Sequence, residues 1–421
     1  MCYSVIYHTV ILSRYSDSVK KIIVMGCTID QTSVSWDHQR MDTSSFLIKP
    51  ASGRCNLACR YCFYRDVTEN RDVADFGIMT EATARALIEK AFYLNSPTYT
   101  FGFQGGEPTV AGLDFFENFV RLVGEANRKG VPVTYTLQTN GTLIDPEWAR
   151  FLKRENFLVG VSIDGPRVIH DTFRVRWDGS PSYRQVMAGV QALRDEGVPI
   201  NALCVVDALT ADNVEVVYTH LLDRGFDWVQ FIPCLDPLGE APGGHPWSLS
   251  PAAYGVFLRK AFDLWYEVRD RGYPAHVRWF DNLVGMAMGY PPDSCSMAGR
   301  CEGYFTVEAD GSVYPCDFYV LDPWRLGNVQ TTDLAAMAQG ETARRFTTSS
   351  EYIDPQCRTC FAYPLCRGGC RRDREPFVDG KPALNRYCQS YKEFFAYAGD
   401  RILEMAQDLL RGTGKSVGSR P

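Results

Sequence analysis

Eleven of the fifteen cysteines in this 421-residue chain fall into one group of three and one group of eight. The trio reads Cys55-Asn-Leu-Ala-Cys59-Arg-Tyr-Cys62-Phe-Tyr, a Cys-x3-Cys-x2-Cys spacing. Such a loop can wrap three thiolates around one face of an iron–sulfur cube and leave the fourth iron free to bind a reactant. Thiolates also suit zinc, but structural zinc closes all four positions with Cys or His, and no fourth partner stands near this trio in sequence. A zinc loop completed by a distant histidine is the competing reading. The group of eight is Cys295, Cys301, Cys316, Cys357, Cys360, Cys366, Cys370 and Cys388. Eight thiolates complete two four-ligand sites without remainder, either two clusters or two structural zinc ions.

The chain is long enough to bury a large core and to hold one big domain with a smaller one. A formal charge of −6 and a pI near 5.6 argue against a nucleic-acid partner held by bulk electrostatics. An odd cysteine count without an export signal does not fit a disulfide framework and places the thiols in a reducing cytoplasm. The apolar patch Val10-Ile11-Leu12 lacks a basic flank and a cleavage site and is too short to span a bilayer. Strand-like sequence begins only after Met41, so translation is expected to start there, with residues 1–40 a poorly packed extension if made at all.

From there short apolar runs alternate with amphipathic ones. Strands are expected at Phe46–Lys49, Tyr99–Phe103, Val133–Leu137, Leu158–Ile163, Asn201–Val206 and Trp228–Ile232. Ala84, Leu87, Ile88, Ala91 and Leu94 mark one face of a helix with Thr80 as its cap, and another helix is expected over Phe115–Asn127. Six strands alternating with helices imply parallel pairing in an α/β barrel or open sheet, whose chemistry sits at the C-terminal strand ends. The cysteine trio follows the first strand, and Gln104-Gly105-Gly106-Glu107-Pro108 follows the second. Thr139-Asn140-Gly141 and Ser162-Ile163-Asp164-Gly165 follow the third and fourth. Alone, each of these reads as a cap or a tight turn.

With aromatic Tyr61 before the last cysteine and Phe63 and Tyr64 behind it, the trio resembles the signature of the radical S-adenosylmethionine enzymes. The resemblance implies a partial (β/α)6 barrel over residues 41–275, a [4Fe–4S] cluster on Cys55, Cys59 and Cys62, and S-adenosyl-L-methionine chelated by the open iron. Carried over position by position, Tyr61 supplies a backbone contact to adenine and Gly106 contacts the methionyl part. Ser162 and Arg174 bind the ribose or carboxylate side, and Leu235 closes over the adenine. Arg174 read alone is an ion-pair partner on the surface.

After the barrel pattern, Tyr304 to Cys316 reads as a hairpin turning at Asp310-Gly311. The order of the eight cysteines looks like the auxiliary-cluster domain called SPASM, here expected over 276–400, with a helix end and polar tail at 401–421. In that pattern Cys295, Cys301, Cys316 and Cys370 hold a nearer [4Fe–4S] cluster, and Cys357, Cys360, Cys366 and Cys388 a farther one. Cys2, Cys27, Cys204 and Cys234 fall outside every motif and read as buried or incidental thiols. The basic run Arg367 to Arg374, embedded among the ligands, is expected to be a solvated face offsetting the anionic clusters.

Five further segments bring the match closer. They are Leu47-Ile-Lys-Pro-Ala-Ser, Phe103-Gln-Gly-Gly-Glu-Pro-Thr, Leu137-Gln-Thr-Asn-Gly-Thr-Leu-Ile-Asp, Gly311-Ser-Val-Tyr-Pro-Cys-Asp-Phe-Tyr-Val-Leu-Asp and Tyr387-Cys-Gln-Ser-Tyr-Lys-Glu-Phe-Phe. Together they resemble the anaerobic sulfatase-maturating enzymes, from about Met41 to about Gln407. That family oxidises a cysteine or serine in a Cys/Ser-x-Pro/Ala-x-Arg motif of a sulfatase to Cα-formylglycine, using a 5′-deoxyadenosyl radical. By motif Asp317 corresponds to the proton acceptor, a role that asks for geometric help and a raised pKa, while its plainer role is to anchor the cluster loop. The implied partners are an unfolded or nascent sulfatase polypeptide and a low-potential electron donor such as flavodoxin or ferredoxin, with no nucleic acid and no membrane. A radical maturase that crosslinks a ribosomal peptide is the first alternative, and a zinc-stabilised binding protein without catalysis the second.

Overall fold

The computed structural model describes residues 43–412, so the expectations for residues 1–40, for Cys2 and Cys27, and for the last residues of the polar tail lie outside it. The six expected strands form a run of parallel neighbours: β1 (Ser44–Ile48), β2 (Tyr99–Phe103), β3 (Val133–Thr139), β4 (Leu158–Ser162), β5 (Ile200–Val206) and β6 (Trp228–Pro233). A sheet covered on both faces needs apolar strands along their whole length, and β2 is buried at every position. Phe101 and Phe103 pack against Phe119, at ring-centroid distances of 5.5 and 5.1 Å. Phe119 belongs to helix Leu113–Ala126, the one expected over 115–127.

The sheet does not stop at six strands. β7 (His276–Val277) adds in parallel to β6, and β8 (Phe305–Val307) adds in parallel to the far side of β1. β9 (Ser312–Tyr314) and β10 (Gly327–Asn328) continue antiparallel, giving the order β10-β9-β8-β1-β2-β3-β4-β5-β6-β7. The β8–β9 hairpin turns at Asp310-Gly311 as expected, with Gly311 at a φ of 85°. One sheet therefore carries both the barrel and the start of the cysteine-rich region.

Helix Glu81–Tyr93 buries Ala84, Leu87, Ile88 and Ala91, and Thr80 caps it by accepting from the Thr83 backbone N–H. Leu94, expected on the same face, is the residue that ends it. On the opposite flank, helix Cys388–Leu410 lies against helix Pro251–Asp270, with Phe394 and Phe262 in edge contact at 5.7 Å. Among the described residues no helix is long and apolar enough to cross a membrane.

Candidate functional site

The cysteine trio occupies the loop between β1 and helix Phe63–Glu69, and two flanking segments set its shape. On one side residues 173–176 bond to it as an irregular strand: Ala58 N–H donates to Val175 O at 2.7 Å and Arg60 N–H to Phe173 O at 2.9 Å. On the other side the turn after β2 lies flat against it. Gly106 N–H donates to Ser52 O at 2.9 Å and Glu107 N–H to Arg54 O at 2.7 Å. A Cβ on Gly106 would stand 2.0 Å from Arg54 O, so only glycine permits this approach. The Leu57 N–H points at Cys55 Sγ at 3.3 Å, a donor aimed at a sulfur that a metal would hold as thiolate.

Glu107 locks this turn to the next strand end. Its buried carboxylate accepts from Thr109 N and Oγ1, Thr139 Oγ1 and Asn140 N, at 2.6 to 3.1 Å. Burial pushes its carboxyl up in spite of those bonds. Asp164, beyond β4, does the same for the following edge. It receives a forked bond from Arg174 (2.7 and 3.2 Å), the Val205 N–H at 2.9 Å and the Tyr61 hydroxyl. Arg174 is thus a buried ion-pair partner, and its charge lies beside Cys59, whose thiol burial pushes up to about 12 in spite of that charge. Ser162 accepts from Gln138 Nε2 at 3.0 Å, and half-buried Leu235 follows β6.

Asp317 lies at the same mouth, although it comes from the cysteine-rich region. Its buried carboxylate is ion-paired with Lys49, which closes β1, and accepts from Gln104 Nε2 at 3.0 Å at the end of β2. Lys49 is fully buried, with its ammonium 3.7 Å from the centre of the Tyr64 ring. Tyr64 in turn donates to Glu308, which pairs with Arg71 at 2.8 Å. The sequence reading missed Lys49, Glu107 and the role of Asp164. A lysine at the C-terminal end of an apolar strand was the available signal for the first.

The eight later cysteines separate in space into two fours. Cys370 lies in the electrostatic reach of Cys295, Cys316 and Cys301. Cys366 lies in that of Cys388, Cys357 and Cys360. All thirteen described cysteines are free thiols, and Cys204 and Cys234 are buried apart from the motifs. Among the described residues no three His, Cys, Asp or Glu side chains close on a single ion. Three thiols on one loop and two groups of four are the ligand numbers that iron–sulfur cubes take. Burial raises Cys55, Cys316 and Cys370 above the ordinary thiol range, so thiolates there need a cationic core to hold them.

One expectation fails. The basic run after Arg367 is not a solvated face, because Arg371 and Arg374 are each only 5% exposed. Arg371 sits among the rings of Tyr319, Trp324, Phe346 and Phe377 at 4.4 to 5.0 Å, and flat aromatic faces accept a guanidinium in place of water.

Residues 50–221 match the family model of the radical SAM superfamily, and residues 295–361 match the SPASM model, an iron–sulfur cluster-binding domain. The cysteine-type anaerobic sulfatase-maturating enzyme of Clostridium perfringens is 43% identical over 369 residues, covering 88% of this chain and all of that protein. The serine-type enzyme of Bacteroides thetaiotaomicron is 31% identical, over 86% of this chain and 91% of that protein. A solved structure of native anSMEcpe with bound AdoMet and the Cp18Cys peptide superposes with a TM-score of 0.84 at 42% identity, covering 87% of this chain and 99% of that one. Identity at this level along nearly the whole of a relative, with the barrel and the cysteine-rich region in one sheet, makes the chain a member of the anaerobic sulfatase-maturating enzymes.

Proposed function

We propose that this chain converts a cysteine of a sulfatase polypeptide, in a Cys-x-Pro/Ala-x-Arg setting, to Cα-formylglycine. The observation that carries the reading is Asp317, a buried carboxylate held at the strand ends by Lys49 and Gln104 beside the cysteine loop. The cysteine-type relative, at 43% identity against 31% for the serine-type one, supports a thiol substrate. Cys55, Cys59 and Cys62 would hold one [4Fe–4S] cluster, Cys295, Cys301, Cys316 and Cys370 the nearer auxiliary cluster, and Cys357, Cys360, Cys366 and Cys388 the farther one. S-adenosyl-L-methionine and these clusters, when bound, supply a carbon radical that takes hydrogen and a one-electron acceptor.

The chain's own residues do the rest. Tyr61, Gly106, Ser162, Arg174 and Leu235 line the cofactor side. Arg174 acts there from a fixed place, because its guanidinium is already clamped by Asp164. Asp317 takes the substrate thiol proton. Lys49 keeps that carboxylate in place in a buried site, and Gln104 orients it. Loss of one hydrogen atom from Cβ, one proton and one electron leaves a thioaldehyde, and water converts it to the aldehyde with release of hydrogen sulfide. An unfolded or nascent sulfatase is the macromolecular partner, and a low-potential flavodoxin or ferredoxin the electron source.

Asp317→Asn tests the role of the carboxylate. It keeps the shape and the Gln104 neighbour but removes the base, so the variant should retain its iron and still form 5′-deoxyadenosine. Its aldehyde yield should drop by roughly 10²- to 10⁴-fold. Aldehyde formed at the wild-type rate would assign the proton to another group.

A further inference from the structure

Buried arginines normally hydrogen-bond to a carboxylate, and Arg371 and Arg374 in the cysteine-rich region bond to other groups. Arg374 is held by backbone carbonyls, donating to Ser350 O at 2.9 Å and to Gly299 and Tyr352 O at 3.4 Å. Arg371 donates to Phe346 O at 2.9 Å and to the Ser349 hydroxyl, inside its aromatic cage. The segments they bind adjoin two of the nearer four thiols, Cys301 by sequence and by hydrogen bond and Cys370 through Arg371 itself. Gly299 lies two residues before Cys301, the Cys301 N–H donates to Ser350 Oγ at 2.8 Å, and Arg371 follows Cys370 directly. Both guanidinia act electrostatically on Cys301. Asp373 is the buried acid beside Cys370, and Arg386, Arg372 and Arg374 act on it in that order of strength. The farther four thiols have a different setting. Cys357 and Cys388 face one acid and one base, Asp354 and Lys392.

We infer that Arg371 and Arg374 are the counter-charges of the nearer auxiliary cluster and set its reduction potential above that of the farther one. Four thiolates around a [4Fe–4S]2+ core carry a net charge of about −2, which becomes about −3 when one electron is added. In a site of low dielectric, adding that electron costs less beside two buried cations than beside an opposed pair of charges. The pair would thus bias the cluster closer to Asp317 toward its reduced form.

The inference rests on the proposed ligand sets, and a redox titration of the anaerobic holoprotein followed by electron paramagnetic resonance separates the two. The nearer cluster's signal is identified by its loss in Cys295→Ala. Arg374→Gln should move that cluster's midpoint to lower potential and leave the farther cluster's midpoint in place, while Arg374→Lys should restore most of the shift. Should Arg374→Gln fail to load iron, Ser349→Asp gives the same test, because a carboxylate there pairs Arg371 without removing an anchor of the fold. It too should lower only the nearer midpoint. Unmoved midpoints, or equal shifts of both clusters, in a protein holding all its iron would overturn the inference alone. A wild-type protein holding fewer than three clusters would overturn both it and the ligand sets.

Discussion

Lys49 closes an apolar strand yet is fully buried, and only the pairing with Asp317 and the face of Tyr64 makes that placement tolerable. Neither partner is near it in sequence, so the strand pattern alone places Lys49 at a strand end and does not reveal its burial. Asp207 shows the opposite case, a buried acid that pairs with no cation among the described residues. Burial, with Asp164 adding to it, pushes its carboxyl up to about 7 against the bonds from Thr210. A raised carboxyl contributes stability that is complete below the ordinary carboxylate range and is lost as pH rises toward about 7. Asp207→Asn keeps the cap on helix Ala208–Asp212, where Asp207 accepts from Thr210 N–H at 2.8 Å, and carries no charge at any pH. Its melting temperature should therefore gain on the wild type as pH rises from about 5 to about 8. The gain corresponds to on the order of 2–4 kcal/mol. Parallel melting curves across that range would remove Asp207 as a source of pH dependence.

At the scale of elements, the loop of Cys55–Cys62 has little regular structure of its own and takes its shape from the turn after β2 and from residues 173–176. Gly106→Ala would drive a methyl group into Arg54 O and push these two loops apart. Iron analysis should show the loss of the first cluster while the auxiliary pair stays loaded, and full iron content would show that the turn yields instead. The six long strands were legible because buried parallel strands read as apolar runs ended by turn residues. β7 was not, being two residues long and too short for any period to register, and β8 was legible as a hairpin arm but not as a parallel neighbour of β1. The cysteines were legible by spacing, which is local. Glu107, Asp164 and the depth of Arg371 were not, because a buried polar group is defined by partners far along the chain.

Across the whole molecule, one buried polar chain joins the two cysteine regions: Arg71, Glu308, Tyr64, Lys49 and Asp317 in succession. Two members come from the cysteine-rich region and three from the barrel side, and β8 pairing with β1 brings them together. Asp317, the proposed proton acceptor, is thereby fixed relative to the first cysteine loop by the same sheet that carries both. The most direct test of this account is anaerobic. The reconstituted, reduced protein is given S-adenosylmethionine and a peptide carrying Cys-x-Pro-x-Arg, and 5′-deoxyadenosine and peptide mass are followed together. Deoxyadenosine should accumulate in step with conversion of the cysteine to an aldehyde. Deoxyadenosine released with the peptide unchanged, under conditions where the peptide binds, would contradict it.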